Sequence, residues 1–376
     1  MKTVTWERIP VAMNQLRGER GRTMPKKAML ALADGSVYEG ESFGADATSY
    51  GEVVFNTSMT GYQEMLTDPS YSGQILVPTY PLIGNYGTCA DNTESSRIQV
   101  RGFVVREHCP EPSHWHNSGT VHDYLAASGI PGISGIDTRA VTRRLRSAGV
   151  MMGVITSSMT AGEAFDYLKG LPRYDLVDYV TDVSTRAPYQ WGAALPEGQV
   201  KHRVVALDCG LKYNIARILT ILGCAVTIVP CNMSAEDILA LQPDGIVLSP
   251  GPGDPALLDY IETTVGKLIG RKPIMGICLG HQMLARVFGA DTFKLKFGHR
   301  GGNHPVCDMA TGQVYITAQN HGYAVDPDRL SGEVEVSHVN LNDNTIEGLR
   351  HRSLPIMSIQ YHSEASPGPR DNMYLF

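Results

Sequence analysis

The apolar positions change their rhythm near the middle of the chain. From Ala28 they come in short alternating runs. Met29-Leu30-Ala31-Leu32, the turn Asp34-Gly35 and Ser36-Val37-Tyr38-Glu39-Gly40 predict a β-hairpin. The stretch Gly51–Gly61 continues the β character, and Asp137–Arg146 predicts a helix with Asp137 as its N-cap and Gly149 as its stop. Its run of arginines reads as a solvated face that complements the helix dipole. Periodicity is lost over Thr181–Gln199, where Pro188, Gly192, Pro196 and Gly198 interrupt it. After His202, strands and helices alternate. Strands are expected at Arg203–Asp208, Ala225–Pro230, Gly245–Ser249 and Pro273–Cys278. Helices are expected at Tyr213–Leu222, Ser234–Leu241, around Ala256–Ile269 and at Gln282–Phe288. This order predicts a doubly wound, mostly parallel α/β sheet preceded by a smaller β-rich α/β domain. The expected division is a leader over 1–27, an N-terminal domain over 28–190, a linker over 191–202 and a second domain over 203–376.

Composition removes several classes. The 376 residues carry 32 Lys+Arg against 38 Asp+Glu, a formal charge of −6, which gives no basic footprint for nucleic acid. No apolar run approaches the 18 or so residues of a membrane helix. The first 27 residues hold seven basic and two acidic residues without an apolar core or any serine. They fit a disordered or mis-assigned start better than a targeting peptide, with Met24 as the natural beginning. The seven cysteines are scattered and include no Cys-x-x-Cys pair, which argues against a disulfide framework and a thiolate zinc site and for a cytoplasmic protein. No metal ligand set and no nucleotide motif is read in the chain.

In parallel α/β sheets ligands bind at the carboxyl ends of the strands. There the sequence places Gly276-Ile277-Cys278-Leu279-Gly280-His281-Gln282, a strand that turns through Gly-x-Cys-x-Gly into a helix. This is nucleophile-elbow grammar with cysteine as nucleophile. A helix N-terminus favours a thiolate, and the N–H of Leu279 forms half of an oxyanion hole. The base and its orienter are His362 and Glu364. Extended backbone over Ile356–Glu364 places both side chains on one face, with Ser363 opposite. The loop Ser249-Pro250-Gly251-Pro252-Gly253 follows another strand and offers a second backbone donor. The remaining histidines, His281, His299, His304 and His321 among them, lack such a pairing and default to structural or surface roles.

These three segments together resemble class I glutamine amidotransferases. Further stretches narrow the resemblance to the small subunit of carbamoyl-phosphate synthase. They are Phe55-Asn56-Thr57-Ser58-Met59-Thr60-Gly61-Tyr62-Gln63-Glu64, Thr67-Asp68-Pro69-Ser70-Tyr71-Ser72, Lys296-Phe297-Gly298-His299-Arg300-Gly301-Gly302-Asn303-His304-Pro305 and Ile316-Thr317-Ala318-Gln319-Asn320-His321-Gly322. The likeness runs from about Ala28 to the end. It implies that Cys278, His362 and Glu364 hydrolyse L-glutamine, with Leu279 and Gly251 as the oxyanion hole. Ser70, Gly251, Gly253, Leu279, Gln282, Asn320, Gly322 and Tyr323 are implied to hold the substrate, Ser70 reaching over from the N-terminal domain. It also implies a large-subunit partner that receives ammonia through a tunnel and spends ATP, with Mg, and bicarbonate on carbamoyl phosphate for arginine and pyrimidine synthesis. No cofactor is then expected in this chain.

Two departures stand out. Ser363 occupies the place of the family's usual Pro, and the chain stops at Tyr374-Leu375-Phe376 where relatives continue into a helix, so a truncated sequence is expected. The competing readings are an amidotransferase subunit of another synthase, such as those for anthranilate or GMP, and a non-catalytic regulatory partner subunit.

Overall fold

The computed structural model describes residues 26–193 and 198–376. Most of the leader expected over 1–27 lies outside these residues. Lys26 already pairs with Asp46, and Lys27 opens the first strand, Lys27–Leu32. That strand pairs antiparallel with Val37–Gly44 across the Asp34-Gly35 turn, as the alternation predicts. Seven strands close into a barrel in the order Lys27–Leu32, Val37–Gly44, Pro131–Ser134, Gly102–Val104, Gln74–Pro78, Ser49–Asn56, Met151–Thr156. Closure leaves no open edge, and the inward positions of Leu30, Val53, Ile75, Val104, Ile133 and Ile155 fill the interior. The helix Thr138–Ala148 is capped by Asp137, whose side chain accepts from the Ala140 N–H, and ends at Gly149 with φ 97°.

The second half is built on a ten-stranded sheet. Its order is Tyr189–Gln190, Cys224–Pro230, His202–Asp208, Gly245–Leu248, Ile274–Ile277, Ile356–Ile359, Ile346–His351, Val334–Asn340, Asp291–Asp308, Val314–Asp326. The pairings from Cys224–Pro230 through Ile356–Ile359 are parallel, and those beyond are antiparallel. Helices cover both faces. Ala235–Ala240, Asp259–Leu268 and Leu279–Val287 bury Ile238, Ile261, Val265 and Met283 on one side. Tyr213–Ile221 buries Ile215, Ala216 and Leu219 on the other. Tyr189–Gln190, at the end of the stretch assigned to the first domain, pairs with Cys224–Pro230 as the edge strand of this sheet. Trp191 packs into its core, and His202 begins a strand, so both ends of the expected linker are structured.

Among the described residues no helix is long and apolar enough to cross a membrane. The two halves meet through buried and part-buried polar contacts. Asn320 Nδ2 donates to Asp68 Oδ2 at 2.9 Å, Lys294 bonds Glu52 at 2.6 Å, and Arg217 pairs with Glu94 at 2.9 Å. These contacts carry residues of the barrel half to the carboxyl ends of the parallel strands.

Candidate active site

The strand Ile274–Ile277 runs directly into the helix Leu279–Val287, leaving Cys278 alone at the junction with φ 54° and ψ −105°. The helix starts three residues earlier than the periodicity predicts. A left-handed φ on a non-glycine residue costs on the order of 1–3 kcal/mol and persists only where packing enforces it. The neighbouring glycines do not supply the turn by their own φ. They permit close approach: a Cβ on Gly276 would stand 2.6 Å from the Gly280 carbonyl oxygen, and one on Gly280 would stand 2.2 Å from that of Leu248. The strain is therefore concentrated on the cysteine.

Cys278 opens on a narrow cavity that Ser70, Gly251, Gly253, Gln282, Asn320, Gly322 and Tyr323 also line. Those sequence-predicted residues come from four separate segments. Ser70 sits in the turn Pro69–Tyr71, is 6% exposed, and its hydroxyl has no partner among the described residues. Gln282 is fixed by donating to Tyr323 O at 2.8 Å and Gln360 Oε1 at 3.0 Å. The thiol of Cys278 points at the Asn320 carbonyl, 3.8 Å away. Leu279 is the first residue of its helix, where no intrahelical carbonyl is in reach of its N–H. Gly251 packs so closely that a Cβ would lie 2.3 Å from the Cys209 carbonyl oxygen and 2.6 Å from Leu279 Cδ2. Gly253, at φ 93°, donates its N–H to the Tyr174 hydroxyl at 3.0 Å.

His362 and Glu364 meet, but not by strand alternation. The strand ends at Ile359, and His362 makes only an isolated bridge to Ala318. The chain then turns, with the Ala365 N–H bonded to the His362 carbonyl at 3.1 Å. That turn brings His362 Nδ1 to 2.6 Å from Glu364 Oε1 with both side chains buried. Burial alone pulls the imidazole pKa down. The Glu364 carboxylate and Cys278 together outweigh it, with Lys212 opposing, so the ring is held up at about 10. Burial pushes Glu364 the other way, yet Lys212 and His362 bring its carboxyl down to about 2.

Lys212 is a functional residue that sequence reasoning missed. It is 2% exposed, its Nζ lies 3.0 Å from Glu364 Oε1, and it donates to the Ala365 carbonyl. Its signal was its position, in the first loop after the strand His202–Asp208, where such folds place ligand-handling groups. Glu52, Gln74, Tyr174 and Arg300 also line the cavity without having been singled out. A second cavity, lined by Asn56, Ser58, Asp68, Lys212, Ala318 and His362, shares Asn320 with the first. His281 is buried, bonds Ser358 at 2.8 Å and is driven to about 3 by burial, so it is a neutral core group.

Residues 205–376 match the family model described as glutamine amidotransferase class-I, which agrees with the cysteine elbow and the two-faced sheet. Residues 30–155 match a separate model, carbamoyl-phosphate synthase small chain, CPSase domain. Curated relatives match almost end to end. The carbamoyl phosphate synthase small chain of Syntrophotalea carbinolica is 51% identical over 93% of this chain and 96% of its own. Those of Akkermansia muciniphila and of a Nostoc species are 51% and 52% identical, each over 93% of this chain and over 95% and 93% of their own. The chain belongs to the carbamoyl phosphate synthase small chain family.

Proposed function

We propose that this chain is the glutamine-hydrolysing subunit of carbamoyl phosphate synthase. The observation that carries the proposal is Cys278, strained at a helix start inside a cavity whose walls include every predicted glutamine-holding residue but Leu279. In this reading the Cys278 sulfur attacks the side-chain amide carbon of glutamine. The carbonyl oxygen becomes an oxyanion held by the N–H groups of Leu279 and Gly251. His362, protonated under the influence of Glu364, gives its proton to the departing nitrogen, which leaves as ammonia. Water then attacks the glutamyl thioester, His362 takes a proton from it, and glutamate and the free thiol are regenerated.

The second cavity supports the next step. It shares Asn320 with the first cavity and is lined by Asp68, Lys212 and His362, and in this reading ammonia leaves through it. The recipient is the large subunit, which uses ATP, Mg and bicarbonate to make carbamoyl phosphate in the cytoplasm for arginine and pyrimidine synthesis. This chain then needs no cofactor of its own for hydrolysis, because thiol, imidazole and backbone donors complete the chemistry. The buried His362–Glu364 pair favours a catalytic subunit over a purely regulatory one.

The test is ammonia release from glutamine by the purified chain, alone and with a carbamoyl phosphate synthase large subunit. Release is expected to rise with the partner and to vanish in Cys278→Ala. Persistence in that variant overturns the nucleophile, and indifference to the large subunit overturns the partner.

A further inference from the structure

A group of ligand-type side chains lies in the barrel half, apart from the amidotransfer chemistry. Cys89, Asp91 and His116 present one donor atom each, all within 4.8 Å of one another. His116 Nε2 stands 3.9 Å from Cys89 Sγ and 3.7 Å from Asp91 Oδ2. A tetrahedral zinc ion, with Zn–S of about 2.3 Å and Zn–N or Zn–O of about 2.0–2.2 Å, holds neighbouring donor atoms roughly 3.4–3.6 Å apart. Small side-chain rotations therefore close the observed triangle onto one ion.

Both segments that carry the donors are anchored. The buried Gln63 amide clamps the backbone of Cys89 from both sides, Nε2 donating to Cys89 O at 2.6 Å and Oε1 accepting from Cys89 N at 2.8 Å. The His116 segment is tied by the Thr88–Gly119 bridge and by Ser118 Oγ donating to Thr88 O at 2.8 Å. A cavity of about 280 Å³ adjoins the cluster, and Glu64, Cys89, His114 and His116 are among its lining. Glu64 Oε2 in that wall is buried with no partner among the described residues. A second set, His299, His321 and Glu347, is as close-knit but already saturated. The two oxygens of Glu347 accept from Asn340 at 2.8 Å and Gln319 at 2.9 Å, and His299 bonds Asp343 at 2.8 Å.

We propose that Cys89, Asp91 and His116 bind one zinc-class divalent cation, with solvent in the open fourth position. Sulfur and imidazole donors select such an ion over magnesium or calcium, which take oxygen. Binding is coordination without redox change: the thiol gives up its proton and the imidazole binds through Nε2.

The test uses the full chain, reduced and freed of metal by a chelator, titrated with zinc alone and then with cobalt as a spectroscopic probe. One equivalent is expected to bind, and its cobalt form to show a thiolate charge-transfer band. Cobalt is also expected to quench Trp115, whose ring stacks on His116 at 4.7 Å. Cys89→Ser and His116→Ala should each weaken binding at least tenfold while leaving glutamine hydrolysis unchanged, and Cys278→Ser should keep the band. The proposal is overturned if the chain carrying both Cys89→Ser and His116→Ala takes up as much zinc as the parent, or if the band disappears with Cys278 and not with Cys89.

Discussion

Glu364→Gln removes one charge and almost no volume, and the structure says where the loss is felt. Oε1 of Glu364 serves two cations, His362 Nδ1 at 2.6 Å and Lys212 Nζ at 3.0 Å, and all three side chains are buried. At an effective dielectric of about 20, a unit pair at the His362 distance is worth ~6 kcal/mol. At ~1.4 kcal/mol per pKa unit, that is about four units. The carboxylate is thus a main support of an imidazole held at about 10, and with Cys278 it offsets burial and Lys212. Without it, burial and Lys212 are opposed by Cys278 alone, and the ring is expected to titrate at or below its ordinary 6.5. At neutral pH His362 then lacks the proton that the departing nitrogen needs. Turnover is expected to fall about 10²–10⁴-fold. KM for glutamine should change little, because Glu364 does not line the cavity.

The linkage has a definite sign. Glu364 is depressed from 4.5 to about 2, so its contribution is present above pH 4.5 and lost as pH falls through 2. His362 is raised from 6.5 to about 10, so its contribution is present below pH 6.5 and lost as pH rises through 10. The stability difference between parent and Glu364→Gln should therefore be largest between about pH 4.5 and 6.5 and shrink on both sides. Steady-state ammonia release, nitrogen-15 NMR of the His362 ring and denaturant melts across pH make the measurement. A ring that still titrates well above 6.5 in the variant, or turnover within threefold of the parent, would refute the reasoning.

Other substitutions probe the remaining walls. Ser70→Ala removes a buried, unpartnered hydroxyl from the cavity, so KM for glutamine should rise about fivefold, the loss of one hydrogen bond of about 1 kcal/mol, while the melting temperature holds. Gly251→Ala puts a methyl 2.3 Å from a backbone oxygen and displaces a proposed oxyanion donor; turnover should drop at least 10²-fold in a chain that still melts cooperatively. Ser363→Pro should raise stability by about 0.5–1 kcal/mol and raise turnover, because Ser363 is 1% exposed, its hydroxyl is unpartnered and its φ is not positive. An unchanged rate there would show that the turn already fixes His362 without the ring.

Much of the fold could be read before any coordinates. Alternation around Asp34-Gly35, the Asp137 cap and the strand–helix rhythm after His202 are local signals, and they correspond to the strands and helices observed. The antiparallel half of the sheet leaves no such local signal. Its long strands Asp291–Asp308 and Val314–Asp326 carry bulges at Lys294/His299 and Gly301/His304, which break the period of two. The extended geometry expected for His-x-Glu is not the one observed, yet the two side chains meet, since a turn and an alternating strand can both place residues i and i+2 together.

What the sequence alone determined about this protein is its inventory of local chemistry: a cysteine between glycines at a strand–helix junction, a histidine two residues from a glutamate, and a family pattern across both halves. Tertiary structure decided the rest, because it depends on distances between segments far apart in the chain. Only folding buries Lys212 beneath Glu364, 152 positions away in number, and sets the charge of His362 through the pair. Only folding moves the strain from the glycines to Cys278, through the closeness of Leu248 to Gly280. Likewise the absence of a Cys-x-x-Cys pair says nothing of Cys89, whose neighbour His116 is brought to it by the barrel's loops and not by spacing along the chain.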